Sequence, residues 1–195
     1  MTCDRDFMLI RPATPADIHA MMWLVSHSAT AAHWSRAQYE RVFGAEAPRR
    51  VALVIEEESG LQGFLVAHEI ANEWEIENIA VAGAARRRGL GTRLLGEFLD
   101  RARAEGGTSV FLEVRESNHA ARLLYDKWAF EESGRRSGYY AQPQEDAIVY
   151  RLSLTQTAPG WSTNRRVIGA TSVTYRCDFP HASPENGIAA LFTLC

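Results

Sequence analysis

The sequence predicts an α/β fold: one mixed, twisted sheet flanked by helices, followed by an irregular C-terminal extension. Three observations carry this. Alternating, β-rich apolar runs recur at residues 51–57, 63–70 and 74–81. Two short helical patterns sit between the first strand and those runs. Later strands alternate with helical patterns at 90–103 and 118–127, the arrangement of crossover connections on a single α/β layer.

Taken in order, residues 7–11 read as a short strand closed by Pro12. Thr14 and Pro15 then supply an N-cap and a first helical residue, and Ile18, Met21, Met22 and Val25 follow at helical spacing. Ser35 is placed to cap a second helix over 35–43, and Pro48 ends that segment. Ser59-Gly60 turns the 51–57 strand into its 63–70 partner. The helix over 90–103 carries Leu90, Leu94, Leu95, Phe98 and Leu99 on one stripe and stops at Glu105-Gly106-Gly107. Residues 109–114 are the next strand. Ser117 is expected to cap the helix over 118–127. Two closing strands, 130–136 and 147–154, are joined by a Tyr-rich connection. Beyond residue 154 the periodicity ends. Residues 1–154 are therefore expected to form the domain, and 155–195 a linker and poorly ordered extension, with a short strand possible at 173–176.

At 195 residues and a formal net charge of −3, the chain is long enough for a core without staples and shows no bulk attraction to nucleic acid. Cys3, Cys177 and Cys195 have neither metal nor disulfide-framework spacing, and the six histidines lack zinc spacing. No apolar run approaches the ~20 residues of a membrane span. The first six residues lack a signal peptide's basic and apolar regions. A cytoplasmic protein without membrane contact, metal or nucleic-acid partner is expected; oligomeric state is not encoded legibly.

The most informative stretch is Arg86-Arg87-Arg88-Gly89-Leu90-Gly91-Thr92. It joins an apolar strand to a helix. A Gly-rich turn there presents free backbone N–H groups at the positive end of a helix dipole, which suits a phosphate. A Gly-x-Gly before a helix is common and specifies no ligand by itself. No Gly-Lys-Ser/Thr ends the loop, so it is not a Walker loop. The third glycine of a dinucleotide fingerprint is missing too.

The order Arg86-x-x-Gly89-x-Gly91 resembles the acetyl-CoA pyrophosphate loop of the GNAT N-acetyltransferases. Asn78-Ile79-Ala80-Val81, Leu112-Glu113-Val114-Arg115 with Ser117-Asn118, and Leu124-Tyr125 with Ala129-Phe130 fall in that family's order and spacing. Arg135-Arg136, Tyr139-Tyr140 and Glu145-Asp146-Ala147 resemble one branch, the RimI-type ribosomal-protein N-terminal alanine acetyltransferases. The resemblance spans roughly residues 7–154 and is dense over 76–152. It implies the GNAT fold and acetyl-CoA as cosubstrate. The implied partner is a protein N-terminus, that of a ribosomal protein starting with alanine. Other acceptors for the same cofactor loop are a small amine or another protein, and a non-catalytic acyl-CoA-binding module is the reading of a different class.

Site residues follow from the same resemblance. Glu113 matches the general base, although alternation alone equally allows it to face solvent. Tyr125 matches the general acid near the CoA sulfur, although a Tyr on such a helix also serves as core packing. Asn118 would contact the cofactor arm, with helix capping as its plain alternative. The main chain of Ile79, Ala80 and Val81 would pair with the pantetheine amides, and Arg86, Arg87, Arg88, Gly89, Leu90, Gly91 and Thr92 would hold the pyrophosphate. Tyr139 and Tyr140 would border a peptide groove, or else form a solvated hairpin end. Trp34-Ser35 resembles the Trp-Ser pair that opens the branch's second helix, with His33 standing where a Pro is usual. With no Ser-His-Asp or Cys-His arrangement visible, direct attack in a ternary complex is the expected mechanism.

Overall fold

A computed structural model describes residues 8–28, 32–45, 48–155, 166–167 and 173–174. The strands are β1 (Met8–Pro12), β2 (Arg49–Glu57), β3 (Gly60–Ile70), β4 (Glu73–Val81), β5 (Ser109–Arg115), β6 (Glu131–Ala141), β7 (Gln144–Ser153), β8 (Arg166–Val167) and β9 (Val173–Thr174). The helices are α1 (Ile18–Ser26), α2 (Arg36–Val42), α3 (Leu90–Ala104) and α4 (His119–Lys127). β1 to β7 form one mixed sheet in the order β1-β2-β3-β4-β5-β7-β6, in which only β4 and β5 run parallel.

Alternation along β3 divides the core between the two faces. Leu65 and Ala67 join α3's apolar stripe, Leu94, Leu95, Phe98 and Leu99. Phe64 and Val66 meet Met21, Leu24 and Val25 of α1 and Tyr39 of α2. Each helix therefore buries one stripe on the sheet, as the sequence pattern requires. The entry to α1 is a 3₁₀ turn, Pro15–Asp17. There the Asp17 carboxylate accepts from the Thr14 N–H at 2.8 Å and from both Arg11 terminal nitrogens at 2.8 Å. Ser35 caps α2, accepting from the Gln38 N–H, while Gln38 returns a bond to the Ser35 N–H at 2.8 Å.

One irregularity shapes the site. The β3–β4 register shifts between Val66 and Ala67, leaving Glu77 as the extra residue on β4. The phase of β4 inverts across it: Trp74 and Ile76 pack into the α3 core, then Ile79 and Val81 do, while Ala80 turns to the α1 side. β4 and β5 pair over Glu73–Ile76 and Ser109–Leu112 and no further. Past the bulge they diverge, and the sheet splits.

Two sequence expectations are corrected. Asn118, not Ser117, caps α4: its Oδ1 accepts from the Ala121 N–H at 3.1 Å, while the Ser117 N–H donates to the Glu145 carboxylate. β6 continues through Ala141, so Tyr139 and Tyr140 lie in a strand and not in a connection. Nearly every residue of that strand is exposed, and an exposed edge strand carries no alternation to read. In the extension, Val173–Thr174 pairs with Arg166–Val167, beside β1. Residues 175–176, the linker at 156–160 and all three cysteines lie outside the described residues.

Candidate active site

The split between β4 and β5 opens a cavity of about 550 Å³. Its walls combine both faces of the sheet. Val110, Leu112 and Val114 point into the α3–α4 core, so Phe111, Glu113 and Arg115 point to the opposite face by strand alternation. At Glu113 that face is the cleft, not bulk solvent: its side chain is only 15% exposed and lines the cavity. Tyr125 reaches the same cavity from α4. Its ring is buried between Phe130 and Tyr150, with centroids 5.6 and 5.8 Å away. Tyr125 thus packs in the core and lines the cleft at once.

The cavity also brings together Ile79, Ala80, Val81, Gly91, Asn118, Trp34, Tyr139 and Tyr140. Because the β4–β5 ladder stops at Ile76, the β5-facing backbone edge of Ile79–Val81 has no ladder partner there. Those N–H and C=O groups are available to an amide-bearing arm. Asn118 serves as cap and cleft wall at once.

Arg86, Arg87, Arg88, Gly89, Leu90 and Thr92 do not line the cavity; with Gly91 they surround the N-terminus of α3. Arg93 is the first residue whose N–H returns to the loop, bonding Gly89 O at 3.0 Å, so the donors just before it point out of the helix end. Gly89 lies in the left-handed region at φ 79°, and a Cβ there would meet open space. Arg87 also has positive φ, 64°. Arg88 is turned away in a two-point pair with Glu57 at 2.7 and 2.9 Å. Leu90 is buried in the core, so only its backbone can serve a ligand. Open backbone, a helix N-terminus and arginines fit a pyrophosphate.

At the other end, Tyr139 faces Glu113. The carboxylate raises the phenol's pKa, first by hydrogen bonding and then with the help of burial. Burial pushes Tyr140 up to about 12 against the lowering effect of Arg115. Both phenols are therefore donors at neutral pH.

Two residues have site roles that motif reading did not assign. Asn78 is buried, and its Nδ2 donates to Ala32 O at 3.0 Å, tying the α1–α2 connection to β4. Arg115 lies 4.0 Å over the Tyr140 ring, pairs with Glu145 at 3.2 Å and donates to Gln142 O and Pro143 O. It fixes the β6–β7 turn beside the cleft. Period two along β5 puts it on the face of Glu113, a signal that could have singled it out.

A split mixed sheet with a helix N-terminus at one end of the gap, and a carboxylate and a phenol within it, defines an acyltransferase that draws on a CoA thioester. The chain belongs to the acetyltransferase (GNAT) family, whose model matches residues 17–130, and that family uses acetyl-CoA. It is 34% identical to the [ribosomal protein bS18]-alanine N-acetyltransferase of Salmonella typhimurium over 135 residues, 68% of this chain and 89% of the relative. The Escherichia coli protein of the same name is 31% identical over 67% of this chain and 88% of its own. The crystal structure of the ribosomal-protein-S18-alanine N-acetyltransferase from Escherichia coli superposes with a TM-score of 0.69 at 26% identity, covering 80% of this chain and 99% of that one. Arabidopsis thaliana NAA60 in complex with acetyl-CoA shares the fold, with a TM-score of 0.68 at 17% identity, over 77% of this chain and 100% of that one. The family and the fold read from the motifs are those found.

Proposed function

We propose that this protein transfers the acetyl group of acetyl-CoA to the α-amino group of a protein N-terminus, that of a ribosomal protein beginning with alanine. The observation that carries the reading is that Glu113 and Tyr125 enter one gap in the sheet from opposite faces. Support for the acceptor comes from the relatives named for alanine N-acetylation of bS18.

The roles follow from the geometry. The N-terminus of α3, with Gly89, Leu90, Gly91 and Thr92, receives the pyrophosphate through backbone N–H groups, Arg86 and Arg87 add positive charge, and Arg88, whose side chain is held by Glu57, contributes its backbone to the loop. The free edge of Ile79–Val81 pairs with the pantetheine amides, and Asn118 stands along that arm. Trp34, Tyr139 and Tyr140 hold the incoming N-terminus as an extended segment. An α-ammonium has a pKa near 7.7–8.0, so much of it is protonated at neutral pH. Glu113 takes that proton. The neutral nitrogen attacks the thioester carbonyl, a C–N bond forms, the C–S bond breaks, and Tyr125 gives its proton to the departing thiolate; the second proton shed by the new amide nitrogen restores the phenol, and the proton on Glu113 leaves to solvent. Residues 1–154 suffice for this chemistry; the extension stands outside it.

The test is an acetyl-CoA turnover assay against short peptides that differ in the first residue, with small amines alongside. Peptides starting with alanine should be the best acceptors. Preferential turnover of a small amine would overturn the acceptor assignment, and acetyl-CoA binding without any turnover would reduce the protein to a binding module.

A further inference from the structure

The acceptor side of the cleft holds one ion pair that the reaction above does not use. Arg136 Nε lies 2.8 Å from Glu113 Oε1 in an ion pair. The same guanidinium lies 5.5 Å from the Tyr139 ring centroid. Its setting differs from that of Arg115, which stands in register with it on the other side of β7. Arg115 is 14% exposed and anchored by a carboxylate, two carbonyls and an aromatic face. Arg136 is 60% exposed.

The backbone explains why Arg136 reaches Glu113. Arg136 faces Ala147 and Tyr140 faces Glu145, so four steps along β6 match two along β7. Gly138, at φ 60°, sits in this widened stretch, and its N–H donates to Asp146 Oδ1 at 2.8 Å. Arg136, opposite Ala147, shares the Glu113 face by the regular register that pairs Gly134 with Val149 and Val149 with Glu113, and the widened stretch beyond it carries Tyr139. The pairing register thus fixes the face from which Arg136 approaches Glu113.

We propose that Arg136 is a latch on Glu113, a positioning residue that occupies the carboxylate until the α-ammonium of the acceptor displaces it. The proposal rests on Glu113 being the group that receives the amine. Guanidinium and ammonium compete for one carboxylate, so the substrate enters by exchange of one cation for another. With the Arg136 guanidinium open to solvent the pair is screened from that side, and a solvent-screened pair is worth at most a factor of about five, weak enough for the exchange. The Tyr139 face gives the displaced guanidinium a second resting place. A neutral, already acetylated N-terminus carries no cation to open the latch, which disfavours rebinding of product.

The test compares Arg136→Gln and Arg136→Lys in steady-state kinetics with an alanine-starting peptide at saturating acetyl-CoA. Peptide binding in the presence of CoA is then measured for Arg136→Gln in the Glu113→Gln background. Removing the competing cation should lower the peptide KM by about two- to fivefold, with kcat held within about twofold. Arg136→Lys keeps a cation and should stay near the native KM. In the Glu113→Gln background, Arg136→Gln should leave peptide affinity unchanged. An unchanged or raised KM in Arg136→Gln, or the same gain persisting without Glu113, would overturn the latch. The two readings separate cleanly. If Glu113→Gln loses its rate while Arg136→Gln leaves KM unmoved, the latch alone fails. If Glu113→Gln keeps its rate while Arg136→Gln still lowers KM, the base assignment fails and the latch stands.

Discussion

Replacing Gly89 by aspartate separates charge from shape at the proposed pyrophosphate site. Gly89 sits at φ 79°, ψ 8°, and a Cβ built on it touches nothing within 4 Å. The steric cost of a side chain is therefore conformational alone, about 1–2 kcal/mol for an L-residue in the left-handed region. That is small against the 5–15 kcal/mol of a typical domain, so the fold should persist. The new carboxylate would stand at the end of α3, where the outward-pointing donors meet the anion. Like charges about 4 Å apart at an effective dielectric near 20 repel by about 4 kcal/mol, a loss of about 10³ in affinity. Gly89→Ala carries the same backbone strain without the charge and should lose no more than about tenfold. Calorimetric titration with acetyl-CoA, paired with urea unfolding of each variant, reads both quantities. Native affinity in Gly89→Asp, or equal losses in the alanine and aspartate variants, would refute the anion-site argument.

Glu113→Gln preserves shape and removes the proton acceptor; kcat should fall by about 10²–10⁴ at neutral pH and recover partly at high pH, where the amine is already neutral, and a native pH–rate profile would count against the assignment. Asp17→Asn should cost about 1–2 kcal/mol by urea unfolding at neutral pH, because Asp17 is held by Arg11 and by the Thr14 N–H. The Arg11 hydrogen bonds, as the foremost cause, hold the Asp17 pKa below its ordinary 3.8. Its contribution is thus complete above that value and lost as pH falls through the depressed folded pKa. The gap between variant and native chain should close in acid, and a pH-independent gap would contradict the sign. A chain ending at Gly160 should fold and acetylate an alanine-starting peptide normally. Loss of soluble expression, or activity lowered more than about tenfold, would instead make β9, which lies beside β1, and its partner β8 part of the domain.

The elements most legible in the sequence are those whose two periodicities the core enforces. β3 and α3 bury Leu65, Ala67, Leu94 and Phe98 in one cluster, so their spacing announces them. The second half of β6, residues 137–141, does not announce itself, because its residues face solvent and its regularity comes from pairing with β7. Ser and Asn are both good caps, so the sequence does not separate Ser117 from Asn118; Glu145, far along the chain, engages both the side chain and the N–H of Ser117, and Asn118 caps α4. Glu113 and Tyr125 were legible as motif letters, and alternation allowed either face for Glu113. What was not legible is what makes the cleft. The bulge at Glu77 and the parting of β4 from β5 depend on pairings between distant segments. The Arg136–Glu113 pair likewise joins two strands through an irregular register that no local pattern encodes.

The most direct measurement is to localise the acetyl group by tandem mass spectrometry on a peptide that offers both an N-terminal alanine and an internal lysine, after incubation with this protein and acetyl-CoA. The account predicts a single acetyl group on the alanine α-nitrogen. Acetylation of the lysine side chain, or none, would contradict it.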